Sequence, residues 1–431
     1  MKKTTIGGLG LGLALSLSLA GCAGQTAPTA DSIEVGPATG TLSYESWTPT
    51  EATFDTIIEG FTAENPDVEL TGTLAPLEDY QTSLQTQLRS GSGPDVFVVS
   101  PGAMYNQYRE YFEPLDAYAE AFDGEDWADI FNQDALDRAQ TDGATFGLPV
   151  GYGVAGFLWV NKTLLAEAGV EVPTTYDELV AASEELKAAG IQPIALGGKD
   201  AWMNIDYFLA IAASIDKDAL YAALEGEGEW TDPALVEAFE IWSGLFTDGV
   251  VQDGAIGAAT YSDTYDLFTE GKAAFFANGS WNLDMYVNSL DRIAAYDIDA
   301  IAMPLPGVDG GAPITGDVSG IVVVNKASKN KGAAYQLASY MSRGEGAQVL
   351  LDAFLDFPVT NDGKTPTTAP EESQTARASI ETLIETKLAG YRQVPLASVS
   401  EALSAALAGV ATGDVTGEEA AQRVQDAADN G

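Results

Sequence analysis

Four aromatic residues stand where apolar runs give way to glycine or small polar residues. Trp47 follows "TLSYES", Tyr152 lies between Gly151 and Gly153, Trp202 follows "LGGKDA" and Trp281 follows "ANGS". Aromatic rings offer broad apolar faces that stack on the apolar faces of sugar rings. Glycine lets a ligand approach the backbone closely. Neighbouring hydroxyls, amides and carboxylates can then exchange hydrogen bonds with sugar hydroxyls. This is binding chemistry. Any one tryptophan is more often core than site, several at strand-to-loop junctions shift that balance for the group, and Trp242, inside the helical stripe of "ALVEAFEIWSGLF", is assigned to core.

Covalent and metal chemistry have few carriers. The 431-residue chain has no histidine and a single cysteine, Cys22, at the end of the first apolar run. That removes Ser-His, Cys-His and histidine-metal sites together. No GxGxxG opens a helix after a strand, and the glycine-rich "GYGVAG" lacks the helix that phosphate cradling needs. Paired carboxylates can run glycoside hydrolysis, but among 64 acidic residues two neighbouring carboxylates are uninformative. The expectation is no catalytic residue, no metal and no cofactor; a secreted glycosidase is the enzymatic alternative.

Cys22 has its own reading. Lys2 and Lys3 precede an uncharged run from Ile6 to Ala20. That run is short of the roughly 20 apolar residues of a membrane span, and its layout is that of a secretory signal peptide. "LAGC", ending at Cys22, resembles the bacterial lipoprotein signal. The resemblance implies cleavage before Cys22 and a lipid, palmitate included, on that residue. Residues 1–21 then form the signal, and 22–40, rich in Pro, Gly and small polar residues, a flexible linker. The expected location is the outer face of the cytoplasmic membrane in a Gram-positive cell, with no intrachain disulfides.

Twenty basic against 64 acidic residues give a formal charge of −44, which repels nucleic acid. The acids are scattered through amphipathic segments such as "EELKAAG", as expected of solvated helix faces.

The elements that must carry the aromatic residues alternate. "TLSYESW" reads as a strand, and Phe54, Ile57, Ile58 and Phe61 make one helical stripe that stops at Asn65-Pro66. "VELTGTL" is a strand, Leu77 to Leu88 a helix, and "PDVFVVS" a buried strand. "TTYDELVAASEELKAAG" reads as a helix capped by Thr174 with Asp177 and stopped by Gly190. Strands follow at "PIALGG", "KAAFFA", "IDAIA" and "SGIVVVN", then helices over roughly 330–343, 345–355, 371–388, 396–409 and 416–428. Such alternation builds an α/β layer structure with mainly parallel sheets, whose ligands bind outside the carboxyl ends of strands.

Several stretches together resemble the extracellular solute-binding proteins of ABC transporters, in the carbohydrate-binding family that includes maltose-binding protein. They are "FTAENPDVEL", "YQTSLQTQLRSGSGPDVFVVS", "GLPVGYGVAGFLWVNKTLLAEAGVEVPTTYDEL", "KAAFFANGSW" and "ITGDVSGIVVVNKASKNKGAAYQLASYM". The resemblance implies two α/β lobes joined by crossover strands, 41–150 with 305–356 and 151–304 with 357–431, each a mainly parallel sheet. It implies a solute, a sugar or oligosaccharide, in the interlobe cleft, hinge closure around it, and a permease that reads the closed form. A monomer is expected. The implied site residues are Trp281 first, then Tyr152 and Gly153 at the crossover, Ser46 and Trp47, Asp317 and Ser319 beside Gly316, and Arg392 beside Tyr391; Trp202 joins them as a candidate from its place after "LGGKDA". The chain departs from maltose-binding protein where Pro101-Gly102 replaces an Asp-Arg pair, and only Glu401 stands near the place of a late cleft tryptophan. These departures speak against maltose and leave the sugar class. A polyamine or amino acid is the alternative solute.

Overall fold

The alternation at the start of the chain folds as β1 (Gly40–Ser46), helix Glu51–Glu64, β2 (Val68–Leu74), helix Leu77–Ser90 and β3 (Val96–Val99) in a computed structural model that describes residues 28–431. The signal and Cys22 lie outside the described residues. β1 is central and pairs in parallel with β2 and β3. Phe54, Ile57 and Phe61 bury the first helix stripe on this sheet. The helix ends where Asn65 Nδ2 turns back to the Phe61 carbonyl, 3.0 Å away, just before Pro66.

The other strands of the two main sheets are β4 (Leu148–Ala155), β5 (Phe157–Asn161), β6 (Gln192–Ala195), β7 (Ala273–Ala277), β8 (Ile298–Ala302), β9 (Ile314–Val324) and β10 (Leu388–Gly390). Eleven residues long, β9 is the structural pivot. It pairs antiparallel with β3 through Ile321 to Val324, antiparallel with β4 from Thr315 to Val322, and parallel with β10 at Ile314 and Thr315. The first sheet runs β10-β9-β3-β1-β2, with β4 also on β9; the second runs β8-β5-β7-β6.

The α/β class is as expected, but both sheets are mixed rather than mainly parallel. β9 runs against β3 and β4, and β5 has antiparallel partners on both sides, leaving β6 with β7 as the parallel pair of the second sheet. β10 joins the first sheet although residues 357–431 were expected with the second lobe. Part of the expected linker also differs: residues 30–32 form a turn of helix, Ile33 packs on the first core and Ala38 is buried. This turn of helix lies against the helix Asp116–Asp123.

The second core surrounds Phe208, Phe239 and Trp242, under helices Ala201–Leu224, Pro233–Thr247, Ala397–Thr412 and Gly417–Asn430. Trp242 is fully buried as expected, and its Nε1 donates to the Leu407 carbonyl at 3.0 Å. The helix over Tyr176–Ala188 is capped one residue later than expected: Thr175 Oγ1 accepts from Glu178 N, and Glu178 accepts from Thr175 N. Glutamate is long enough to reach back to the cap and also takes the Thr174 hydroxyl at 2.8 Å.

Candidate binding site

Trp281 sits where β7 ends, on the short turn Ser280–Asp284. Three hydrogen bonds fix that turn. Ser280 Oγ accepts from the Val154 N–H at 3.0 Å, Trp159 Nε1 donates to the Gly279 carbonyl at 3.2 Å, and Asn278 Oδ1 accepts from the Gly279 N–H. Gly153 makes room for the indole: a Cβ there would stand 3.3 Å from Trp281 Cε3. Glycine on the crossover and tryptophan after β7 are therefore one packing unit.

Trp202 meets Trp281 edge to face, with ring centroids 5.8 Å apart. It lies in the first turn of helix Ala201–Leu224, and Asp206 follows one helical turn later on the same face. Arg392 closes the group. Its Cζ lies 4.5 Å from the Trp281 ring centroid and its Nη1 donates to Asp206 Oδ2 at 2.6 Å. The Arg392 Nε and Trp281 Nε1 atoms are buried without a protein partner.

A second arginine mirrors this arrangement. Arg138 grips Asp317 with two bonds, Nε to Oδ1 at 2.9 Å and Nη2 to Oδ2 at 2.8 Å, and its Cζ lies 4.7 Å above the Tyr391 ring. Tyr391 is held in turn by Tyr221, whose hydroxyl donates to the Tyr391 carbonyl at 2.9 Å. Burial pushes the carboxyls of Asp206 and Asp317 up, and each arginine opposes that shift. Between the two pairs, Tyr152 is half-buried; burial first, then the Asp317 charge, push its hydroxyl up to about 12.

The crossovers meet at Asp356. Tyr152 and Phe357 form a two-bond bridge, N–H to carbonyl at 2.8 and 3.3 Å. Next to it, Ser319 Oγ donates to Asp356 Oδ2 at 2.6 Å, while Asp356 Oδ1 is buried without a partner. Arg377 donates to the Leu355 carbonyl and stacks on Phe357, 4.6 Å from its centroid. Burial pushes the Asp356 carboxyl up to about 7.

Tyr152, Gly153, Asp317 and Ser319 are thus gathered on the paired β4 and β9, and Trp202, Trp281 and Arg392 form a contiguous group beside them. Ser46 differs from its expected role. It is fully buried and its hydroxyl donates to the Thr48 carbonyl at 2.6 Å, so it serves the local turn. Trp47 stays half-buried against Tyr80, 5.5 Å between centroids, on the first lobe. Asp317 and Ser319 spend their polar atoms on Arg138 and Asp356.

Sequence reasoning missed Asp206, Arg138 and Asp356. Asp206 had a signal: a lone acid inside the apolar helix "NIDYFLAIAA" must be paired when buried. Its partner, 186 residues away, had none.

The model of the bacterial extracellular solute-binding proteins matches residues 44–348. The chain belongs to this family. Among relatives, this solute-binding protein is 26% identical over 309 residues to the multiple sugar-binding protein of Streptococcus mutans, covering 70% of each chain. Its fold is similar to a protein of Caldanaerobius polysaccharolyticus solved in work on xylan utilization, at a TM-score of 0.79 and 22% identity, covering 90% of this chain and 99% of that one. It is similar too to an ABC substrate-binding protein of Listeria monocytogenes in complex with cycloalternan, at a TM-score of 0.74 and 23% identity, covering 91% and 98%.

Proposed function

We propose that the protein is a sugar receptor held outside the cell by the lipid on Cys22, which closes its two lobes on a sugar or oligosaccharide and delivers it to an ABC import permease. The lobes are built on the two sheets, with β10 of the late chain added to the first, and are joined through β4, β9 and the crossing at Asp356–Phe357. The reading is carried by the Trp281–Trp202 pair held against Gly153 of the crossover strand. Aromatic faces at a hinge suit sugar rings and sense closure. The sugar-binding relative supports the solute class. The role is binding rather than catalysis, in a monomer. Asp206 and Asp317 are each committed to an arginine, which supports this.

A thermal-shift and tryptophan-fluorescence screen against xylo-, cello- and malto-oligosaccharides tests the sugar. A ligand that binds the native state alone raises the unfolding midpoint, and Trp281 in the site predicts a fluorescence change. Failure of every sugar, with binding of an amine, would overturn the solute class. Cys22→Ser should release the protein to the medium; continued membrane association would refute the anchor.

A further inference from the structure

Asp356 sits among the crossing segments with no cation of its own. Its carboxylate lies between two strands. A Cβ on Gly151 of β4 would stand 2.6 Å from Oδ2, and Ser319 of β9 donates to the same oxygen at 2.6 Å. The residue is 2% exposed, and its Oδ1 is buried without a partner.

The charges around it are spent elsewhere. Arg377, on the helix Gln374–Lys387, donates to the Leu355 carbonyl, stacks on Phe357 and pairs with Glu381 at 3.1 Å. Arg392 pairs with Asp206 at 2.6 Å and lies over Trp281. On the packed strands, Tyr152 is neutral, its hydroxyl pushed up to about 12, and Asp317 is matched by Arg138. Asp352, on the helix that leads into the crossing, accepts from the Thr367 hydroxyl, and Asp284 on the Trp281 turn accepts from Asn288. A buried carboxylate left without a cation is favoured as the neutral acid.

The two halves of the molecule meet directly in this conformation. The helix Ala103–Tyr108 packs in the first core and Val394 in the second. Yet the Ala103 N–H donates to the Val394 carbonyl at 2.9 Å, and Asn106 Nδ2 donates to the Pro395 carbonyl at 2.9 Å. Arg138 reaches Tyr391 in the same way. A rotation that parts these contacts must be absorbed by the crossing segments, and those segments are the walls around Asp356. Leu355, next to it, is fully buried at φ +51°, a conformation a leucine rarely adopts and its surroundings must enforce.

We propose that Asp356 is a proton-operated latch of the hinge: the neutral acid favours the drawn-together arrangement, and the carboxylate, solvated once the crossing segments part, favours the open one. This rests on the closing receptor proposed above, but not on which solute it takes. Burial pushes the Asp356 carboxyl up to about 7 here. The closed form thus holds the proton more tightly than the open one, so the latch acts below that pH and is lost as pH rises through it. Solute capture is then strongest in mildly acidic surroundings.

Small-angle scattering of the unliganded protein at about pH 5.5, 7 and 8.5, spanning the ionisation, tests this on wild type, Asp356→Asn and Ser319→Ala. The wild-type radius of gyration should grow as pH rises through about 7. Asp356→Asn, neutral at every pH, should keep the acid-form radius throughout. Ser319→Ala removes the donor that favours the carboxylate and should move the transition to higher pH; its shift decides the matter if Asp356→Asn does not fold. Calorimetry with xylotriose, cellotriose and maltotriose adds the binding side. In whichever binds, the wild-type Kd should rise about tenfold from pH 6 to pH 8, and that of Asp356→Asn should stay within about twofold. A wild-type radius that does not change with pH, or that changes equally in Asp356→Asn, would overturn the latch. A sugar bound with a pH-independent Kd would overturn it too and leave the sugar reading intact. Binding of no sugar would overturn the sugar reading, and scattering alone then decides the latch.

Discussion

Arg392 lies over the face of Trp281, 4.5 Å from the ring centroid, while its Nη1 holds the buried carboxylate of Asp206. One side chain thus joins the crossing segment, the β7 turn and the Trp202 helix. A guanidinium both paired and stacked is over-determined, and it fixes the orientation of the indole.

Removing Arg392 should therefore cost more than a surface ion pair. Arg392→Ala leaves Asp206 charged and buried without its partner, and unfolding free energy should drop by about 3–5 kcal/mol. Arg392→Met with Asp206→Leu should recover most of it, because paired charges are replaced by apolar volume. Urea denaturation of the three proteins decides it. A loss below about 1 kcal/mol for the single variant, the surface-pair range, would mean that the pair is solvated.

Trp281→Ala should separate binding from folding. Its ring is half-buried on a turn fixed by backbone and Ser280 contacts that do not involve the indole. Sugar Kd should rise by about 10- to 100-fold, ~1.4–2.8 kcal/mol, with a cooperative unfolding transition retained. An unchanged Kd would remove Trp281 from the site.

The legible part of this molecule was the local part. The Phe54–Phe61 stripe, the Asn65 stop, the β-rich "GIVVV" run and the five late helices follow from periodicity and punctuation within a short window. Trp281 and Gly153 were readable because each breaks an apolar run at a strand. The helix over Ala201–Leu224 went unread because its stretch 203–212 is buried on every side and lacks an amphipathic stripe. The mixed sheets were unreadable for a different reason, since strand direction depends on how β9 returns. Arg138 with Asp317 and Arg392 with Asp206 lie 179 and 186 residues apart, beyond any local signal. Ser46 misled because a serine after a strand looks the same whether it faces ligand or its own turn.

Acidity at the hinge should set part of the pH profile. Burial pushes Asp356 up to about 7, and Asp284, also pushed up by burial, to about 7, against about 3.9 for an ordinary aspartate. Between those values the folded chain keeps protons that the unfolded chain has released. Their contribution is therefore full below about pH 4 and is lost as pH rises through about 7. Around Asp356, Ser319 and the Phe357 N–H favour the charged form, as do the cations of Arg377 and Arg392, but burial outweighs them. Asp356→Asn keeps an acceptor for Ser319 and should flatten the decline by an amount on the order of a few kcal/mol. Chemical denaturation from pH 4.5 to 8 reads the slope. Identical slopes in both proteins would show that Asp356 ionises freely.

Gly151 should prove a tightly constrained glycine of the crossover. It has φ +58°, where an L side chain is strained, and a Cβ there would stand 2.6 Å from Asp356 Oδ2 and 3.2 Å from Ser319 Oγ. Gly151→Ala then carries two costs. The backbone cost is about 1 kcal/mol. The second is displacement of a buried carboxylate from its serine, a further ~1–3 kcal/mol. Only the second depends on Asp356, so in an Asp356→Ala background the alanine should cost the backbone term alone. A double-mutant cycle in urea gives the difference directly, and a coupling of at least about 1 kcal/mol is expected for groups in contact. Additive effects would mean that the crossover relaxes around the methyl group and that the Gly151–Asp356 approach does not fix the hinge.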